Sequence, residues 1–312
     1  MFQHWRYDDS DNRYTGTKTV EQSLPSGLYQ LFHSNHGEPM AIKAQLNDED
    51  LYTFSSGNNR NILDEVTSFW DNRDRYKKLG VTHKRGILLH GAPGCGKTAI
   101  ISLCMKDMLR RDGICLILTP DLVGHLKEAL PKLQQVEKER DVLIIMEDLE
   151  SFRRYEHALL EIMDGTSSLG NGILYLATTN YLDQIPIRFS HRPSRFDTLL
   201  EVGLPSLEER MEYLSFVSQK MFGTNQEEKT HQWAKLTEGF SIAQLKELVI
   251  SVVIHRHTLK DSLERLSILC PEVVAESEDG TSAQELRQAY TTKYDVHQLW
   301  EEIDEDASMY EE

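Results

Sequence analysis

The stretch GILLHGAPGCGKTAI, Gly86 to Ile100, restricts the fold of this chain more than any other. It contains G-x-x-x-x-G-K-T from Gly91 to Thr98, directly after an apolar run and directly before a helical pattern. Glycines at those positions let the backbone curl and aim its N–H groups at phosphate oxygens. A helix N-terminus behind the loop adds positive potential. In this reading Gly91, Ala92, Pro93, Gly94, Cys95, Gly96, Lys97, Thr98 and Ala99 form a cradle for nucleotide phosphates. Lys97 reaches the β- and γ-phosphates, and the Thr98 hydroxyl binds Mg²⁺. A chance match in a glycine-containing turn is the competing explanation, and the strand and helix on either side weigh against it.

The sheet around such a loop is supplied by further apolar runs. GILLHG, ICLILT, VLIIM and ILYLATTN, with LLEVGL as a last one, alternate with helical patterns. That alternation predicts a parallel sheet with helices on both faces. The run VLIIM reads as a strand buried on both faces, yet it ends in Glu147 and Asp148. Adjacent carboxylates at a buried edge repel and lose solvation unless something positive lies beside them. A nucleotide with Mg²⁺ is such a species. One acid then serves the metal, and a second orients and deprotonates the attacking water. An ordinary charged loop after a core strand is the alternative.

The remaining patterns divide the chain. Residues 1–60 read as a polar leader with small strands, among them SGLYQLF and AIKAQL. Residues 61–205 form the nucleotide-binding domain, entered by a helix from Asn61 to Leu79 that Gly80 stops. Ser206 with Glu209 and Ser241 with Gln244 are capping boxes, and 206–270 contains helices alone. Residues 271–312 form an acidic tail, with 13 acidic against two basic residues. It is solvated, with YDVHQLWEEI as a short amphipathic helix. Most of the net charge of −16 therefore lies in the tail, and the acidic balance argues against nucleic-acid binding through bulk charge. The four cysteines show no C-x-x-C spacing, which fits reduced thiols, and no H-E-x-x-H appears. No apolar run approaches the roughly 20 residues of a membrane span. The N-terminus is too polar for a signal peptide. A cytoplasmic protein with no membrane partner is expected.

From about Asn61 to Cys270 the chain resembles the AAA+ ATPases. GAPGCGKT resembles their Walker A motif and VLIIMED their Walker B motif. ATTNYLDQI resembles sensor 1, with Asn180 at its polar position, and HRPSRFD resembles the arginine-finger segment, with Arg192 and Arg195 at the finger positions. The helices from Ser206 resemble the family's small lid domain. The resemblance implies a P-loop α/β domain followed by a helical lid, with ATP as substrate and Mg²⁺ as cofactor. Cys95 in Walker A and the order Glu-Asp after VLIIM resemble the subgroup of the mitochondrial Rieske-protein translocase. That likeness puts Glu147 on the metal side and Asp148 on the water side. The other register makes Asp148 the metal acid and Glu150 the base. The translocase's N-terminal membrane helix is not expected here. The family's pore-loop aromatic has no counterpart in LVG, Leu122 to Gly124, and Ala243 stands where many members place a sensor 2 arginine.

Three functional readings follow. The first is a ring of about six or seven subunits that remodels a client protein, with Arg192 and Arg195 on an exposed edge reaching a neighbour's nucleotide. The second, not favoured, is a nucleic-acid motor or loader using Arg153 and Arg154 of FRRYEH. The third is a slow regulatory switch, suggested by the short side chain of Asp148.

Overall fold

The computed structural model describes residues 4–8, 13–17, 23–33, 39–45, 51–55, 57–165, 172–189, 195–222 and 227–268. Arg192 and the acidic tail lie outside the described residues. Two compact units are present. The first holds the described residues up to Thr53, Asn58–Ala92 and Lys97–Val202; the second holds Phe54–Gly57, Pro93–Gly96 and the residues from Gly203.

The first unit is built on a mixed, mostly parallel sheet. Its strands are β1 (His4–Asp8), β2 (Arg13–Thr17), β3 (Gly27–His33), β4 (Pro39–Ala44), β5 (Lys84–His90), β6 (Ile114–Ile117), β7 (Val142–Met146), β8 (Ile173–Thr179) and β9 (Phe196–Glu201). They lie in the order β1-β2-β4-β3-β6-β7-β8-β5-β9. Every residue of β7 and β8 is buried, as expected of strands covered on both faces. β9, at the edge, alternates inward and outward instead. Five runs marked in the sequence thus become the parallel block β6-β7-β8-β5-β9.

Three helices connect that block: α3 (Lys97–Arg110), α4 (Val123–Val136) and α5 (Glu156–Asp164). α3 packs against β6, β7 and β8, whereas α4 packs against α5, β3 and β4. Ahead of them stand α1 (Gly57–Asp71) and α2 (Arg73–Leu79). The sequence suggested one helix beginning at Asn61. The helix begins earlier because apolar periodicity starts only at Ile62 and the polar first turn gives no signal. It breaks at Asn72, whose side-chain amide donates to the Ser68 carbonyl at 2.7 Å. Gly80 closes α2 in the left-handed region at φ 65°.

The N-terminal strands belong to the same sheet rather than to a separate region. β3 pairs in parallel with β6, Gly27 opposite Ile114 and Tyr29 opposite Leu116, so the open edge of β6 is covered. β4 and β2 then add antiparallel. A buried polar clasp holds this extension. The Glu137 carboxylate, at the end of α4, accepts from the Trp5 indole N–H at 3.2 Å and the Leu24 amide at 2.6 Å. Arg140 lies 3.5 Å from Glu137 and donates to the Leu24 carbonyl. Trp5 and Leu24 are themselves buried in the core formed with Leu133 and Ile144.

The second unit contains α6 (Leu207–Phe222), α7 (Glu227–Leu236), α8 (Ile242–Val249) and α9 (Leu259–Ser267), with a π-helical turn over Ile250–Ile254. Both capping boxes form. Ser206 N–H donates to Glu209 at 2.9 Å and Glu209 N–H to the Ser206 hydroxyl at 3.2 Å. Ser241 and Gln244 exchange the same pair at 2.8 and 3.3 Å. Leu214, Ala234 and Val249 make a small core. The Arg210 guanidinium is buried against the carbonyls of Ala234 and Pro205.

Candidate active site

β5 ends at His90, and the chain leaves it through Gly91, at φ 146°. A side chain there would meet the Val202 carbonyl oxygen at 2.2 Å, so only glycine fits. Lys97 opens α3, is 7% exposed, and donates from Nζ to the carbonyls of Gly91 at 2.7 Å and Ala92 at 2.9 Å. The ammonium is therefore held at the loop that precedes it. Within the second unit Gly94, at φ 80°, accepts from the Ala243 amide at 3.1 Å. A side chain on Gly94 would press the Ser241 hydroxyl at 2.9 Å. Cys95 is buried, and Gly96 stands at φ 105° with open space around it. Ala99 follows Thr98 in the first turn of α3.

Across from this turn, β7 delivers two exposed acids where the sequence suggested a buried edge. The Thr98 hydroxyl donates to the Glu147 carboxylate at 2.7 Å. A hydroxyl and a carboxylate at that spacing are the hard oxygen donors Mg²⁺ takes, so the residues present fit that ion. Asp148 has left-handed backbone, φ 52° and ψ 65°. Its amide donates to the Thr178 hydroxyl at 3.1 Å, and Asn180 at the end of β8 donates to its carboxylate at 3.4 Å. Gly91, Lys97, Thr98, Glu147, Asp148 and Asn180 thus lie at the ends of β5, β7 and β8 and the start of α3. Glu150 sits in the following 3-10 turn, Leu149–Tyr155, and its Oε2 is buried with no hydrogen-bond partner among the described residues.

Arg195 departs from the expected exposed edge. It is 5% exposed, and its guanidinium grips Asp164 at the end of α5, at 2.8 Å from Nε and 2.5 Å from Nη2. It also donates to the Arg188 carbonyl. The hydrogen bonds to Asp164 raise its pKa above the usual value. The physical reason is the partner: Asp164 and the Arg188 carbonyl take up the guanidinium's donors and hold the side chain inside the unit. Asp197, two positions on, lies 3.5 Å from Arg85. Leu122 and Val123 of LVG are buried in the core. Sequence reasoning missed Thr178, because a threonine in LATT reads only as a β-branched strand residue.

A glycine loop between strand and helix, a lysine held in it and paired acids just after β7, the parallel strand two places away in the sheet, are the features of a P-loop nucleotide-hydrolase site. Residues 87–204 match the family described as "ATPase family associated with various cellular activities (AAA)". The matched segment, under half of the chain, is similar to an AAA ATPase domain, and this with relatives named as ATPases supports ATP hydrolysis. Its relatives are distant. The cell division cycle protein 48 homolog of Archaeoglobus fulgidus is 28% identical over 64% of this chain and 29% of its own length. The proteasome-activating nucleotidase of Aeropyrum pernix is 30% identical over 61% and 50%. The ATP-dependent zinc metalloprotease FtsH of Mycoplasmopsis synoviae is 27% identical over 74% and 37%. The chain thus spans half or less of the length of these relatives.

Proposed function

We propose that this protein is an oligomeric ATPase that uses ATP hydrolysis to remodel a protein or a protein complex. The observation that carries the reading is the division of labour between the acids: Glu147 meets the Thr98 hydroxyl, while Asp148 meets Asn180. Lys97 binds the β- and γ-phosphates. Thr98 and Glu147 would hold Mg²⁺, which supplies charge neutralisation on the phosphates. Asp148, steadied by Asn180, orients the attacking water and takes its proton. The water oxygen bonds to the γ-phosphorus as the bond from phosphorus to the bridging oxygen breaks, and ADP leaves with that electron pair.

Arg192 is proposed as the finger that completes the site of the next subunit in a ring of about six or seven. Arg195 holds the segment through Asp164. Among the named relatives, one activates a proteasome and one is a protease, which favours a polypeptide client. Cys95 and the Glu-Asp order favour the Rieske-translocase subgroup. Among the described residues no helix is long and apolar enough to cross a membrane. We place the protein in the cytoplasm. Arg153 and Arg154 are exposed in the turn after the acids, and nucleic acid stays the less favoured second class of client.

Two substitutions test the reading. Lys97→Ala is expected to abolish ATP binding, and Asp148→Asn to bind ATP but not hydrolyse it, because the amide cannot accept a proton. Titration with labelled ATP and measurement of phosphate release separate the two effects. Near wild-type affinity in Lys97→Ala contradicts the cradle. Metal loss in Asp148→Asn, together with a dead Glu150→Gln, moves the assignment to the other register.

A further inference from the structure

Asp148 is one methylene shorter than a glutamate would be in the same role, and its backbone is unusual. It is one of three non-glycine residues with positive φ among those described. The left-handed region costs an L-residue roughly 1–2 kcal/mol, least for Asp and Asn, so something must hold it. Both of its backbone groups are engaged. The Asp148 carbonyl accepts from the Ser151 amide at 2.8 Å, which starts the 3-10 turn. The Asp148 amide donates to the Thr178 hydroxyl at 3.1 Å.

Thr178 stands where the sheet stops guiding the chain. β7 and β8 pair in register up to Met146 opposite Ala177. One step further on, Glu147 falls opposite Thr178, and after that Asp148 leaves strand geometry. A β8 carbonyl can no longer receive the Asp148 amide, and a hydroxyl 3% exposed takes its place. The next residue on β8 works on the other side: buried Thr179 accepts from the Tyr181 amide at 3.0 Å. The two threonines therefore fix the backbone on both flanks of the contact between Asp148 and Asn180.

We propose that Thr178 is the positioning residue that fits a short acid to the reaction. By holding the Asp148 amide, it keeps the left-handed backbone that aims the carboxylate toward Asn180 and the attacking water. This rests on Asp148 as the water-activating acid. Thr178 is 3% exposed and acts through the Asp148 amide, so its loss is expected to move turnover and not binding.

The test is Thr178→Val, which keeps the shape and removes the acceptor, beside Thr178→Ser, which restores it. Thr178→Val is expected to lower kcat about ten- to a hundredfold, the scale of a displacement of about 1 Å. KM and ATP affinity are expected to stay within about twofold, with Thr178→Ser recovering most of kcat. Amide hydrogen exchange on the wild type gives a readout independent of any variant: the Asp148 amide is expected to be protected although its residue is exposed. Wild-type turnover in Thr178→Val with Asp148→Asn inactive overturns the inference and leaves the base assignment standing. A Thr178→Ser as slow as Thr178→Val overturns it too, as does an Asp148 amide that exchanges like an open loop. Normal hydrolysis by Asp148→Asn removes the base assignment and this inference with it.

Discussion

Arg192 and Arg195 stand three positions apart in one motif, and the structure gives the second of them a structural task. The Arg195 side chain is 6% exposed while its partner Asp164 is 39% exposed. Removing the arginine leaves a carboxylate that water reaches in part, so the cost falls below that of breaking a fully buried pair. Arg195→Ala is expected to destabilise the first unit by about 1–3 kcal/mol, measured as a lowered urea midpoint. ATP affinity measured on the folded protein is expected to be unchanged. A variant with wild-type stability and strongly reduced turnover would return Arg195 to the catalytic machinery. The motif RPSR could not reveal this, because either arginine satisfies the pattern. The deciding feature is Asp164, 31 positions earlier in the chain. The cradle was legible for the opposite reason: Gly91, Lys97 and Thr98 lie within eight residues, and their spacing alone encodes their geometry.

At the level of elements, β5 to β8 could be read from apolar runs because strands covered on both faces need no partner information to look like strands, and β9 from the short run LLEVGL. β3 and β4 were also visible as short alternating runs, but their sheet was not. β3 pairs with β6, nearly ninety positions away, and no local pattern encodes that pairing. The clasp on Glu137 explains how the extension holds. Glu137→Ala leaves the Trp5 indole and the Leu24 amide without their acceptor, and leaves Arg140 without one of its carboxylates. The expected loss is about 2–4 kcal/mol. It is expected to be local. Amide exchange is predicted to rise in β1 to β4 well before it rises in β7 and β8. Equal acceleration in all of these strands would show that the N-terminal strands unfold only with the whole unit.

At the scale of the whole molecule, hydrolysis is proposed to be done by an assembly and not by a lone chain. A guanidinium supplied by a neighbour is worth roughly 10³–10⁵ in rate, enough for a dissociated chain to be nearly silent. Phosphate release per chain, followed over a wide range of protein concentration with saturating Mg-ATP and Asp148→Asn as the blank, reads this directly. Turnover per chain is expected to lie close to the blank at low concentration and to rise steeply to a plateau as subunits assemble. Turnover per chain that is well above the blank and constant over the whole range would show that each chain works alone and would contradict the proposal.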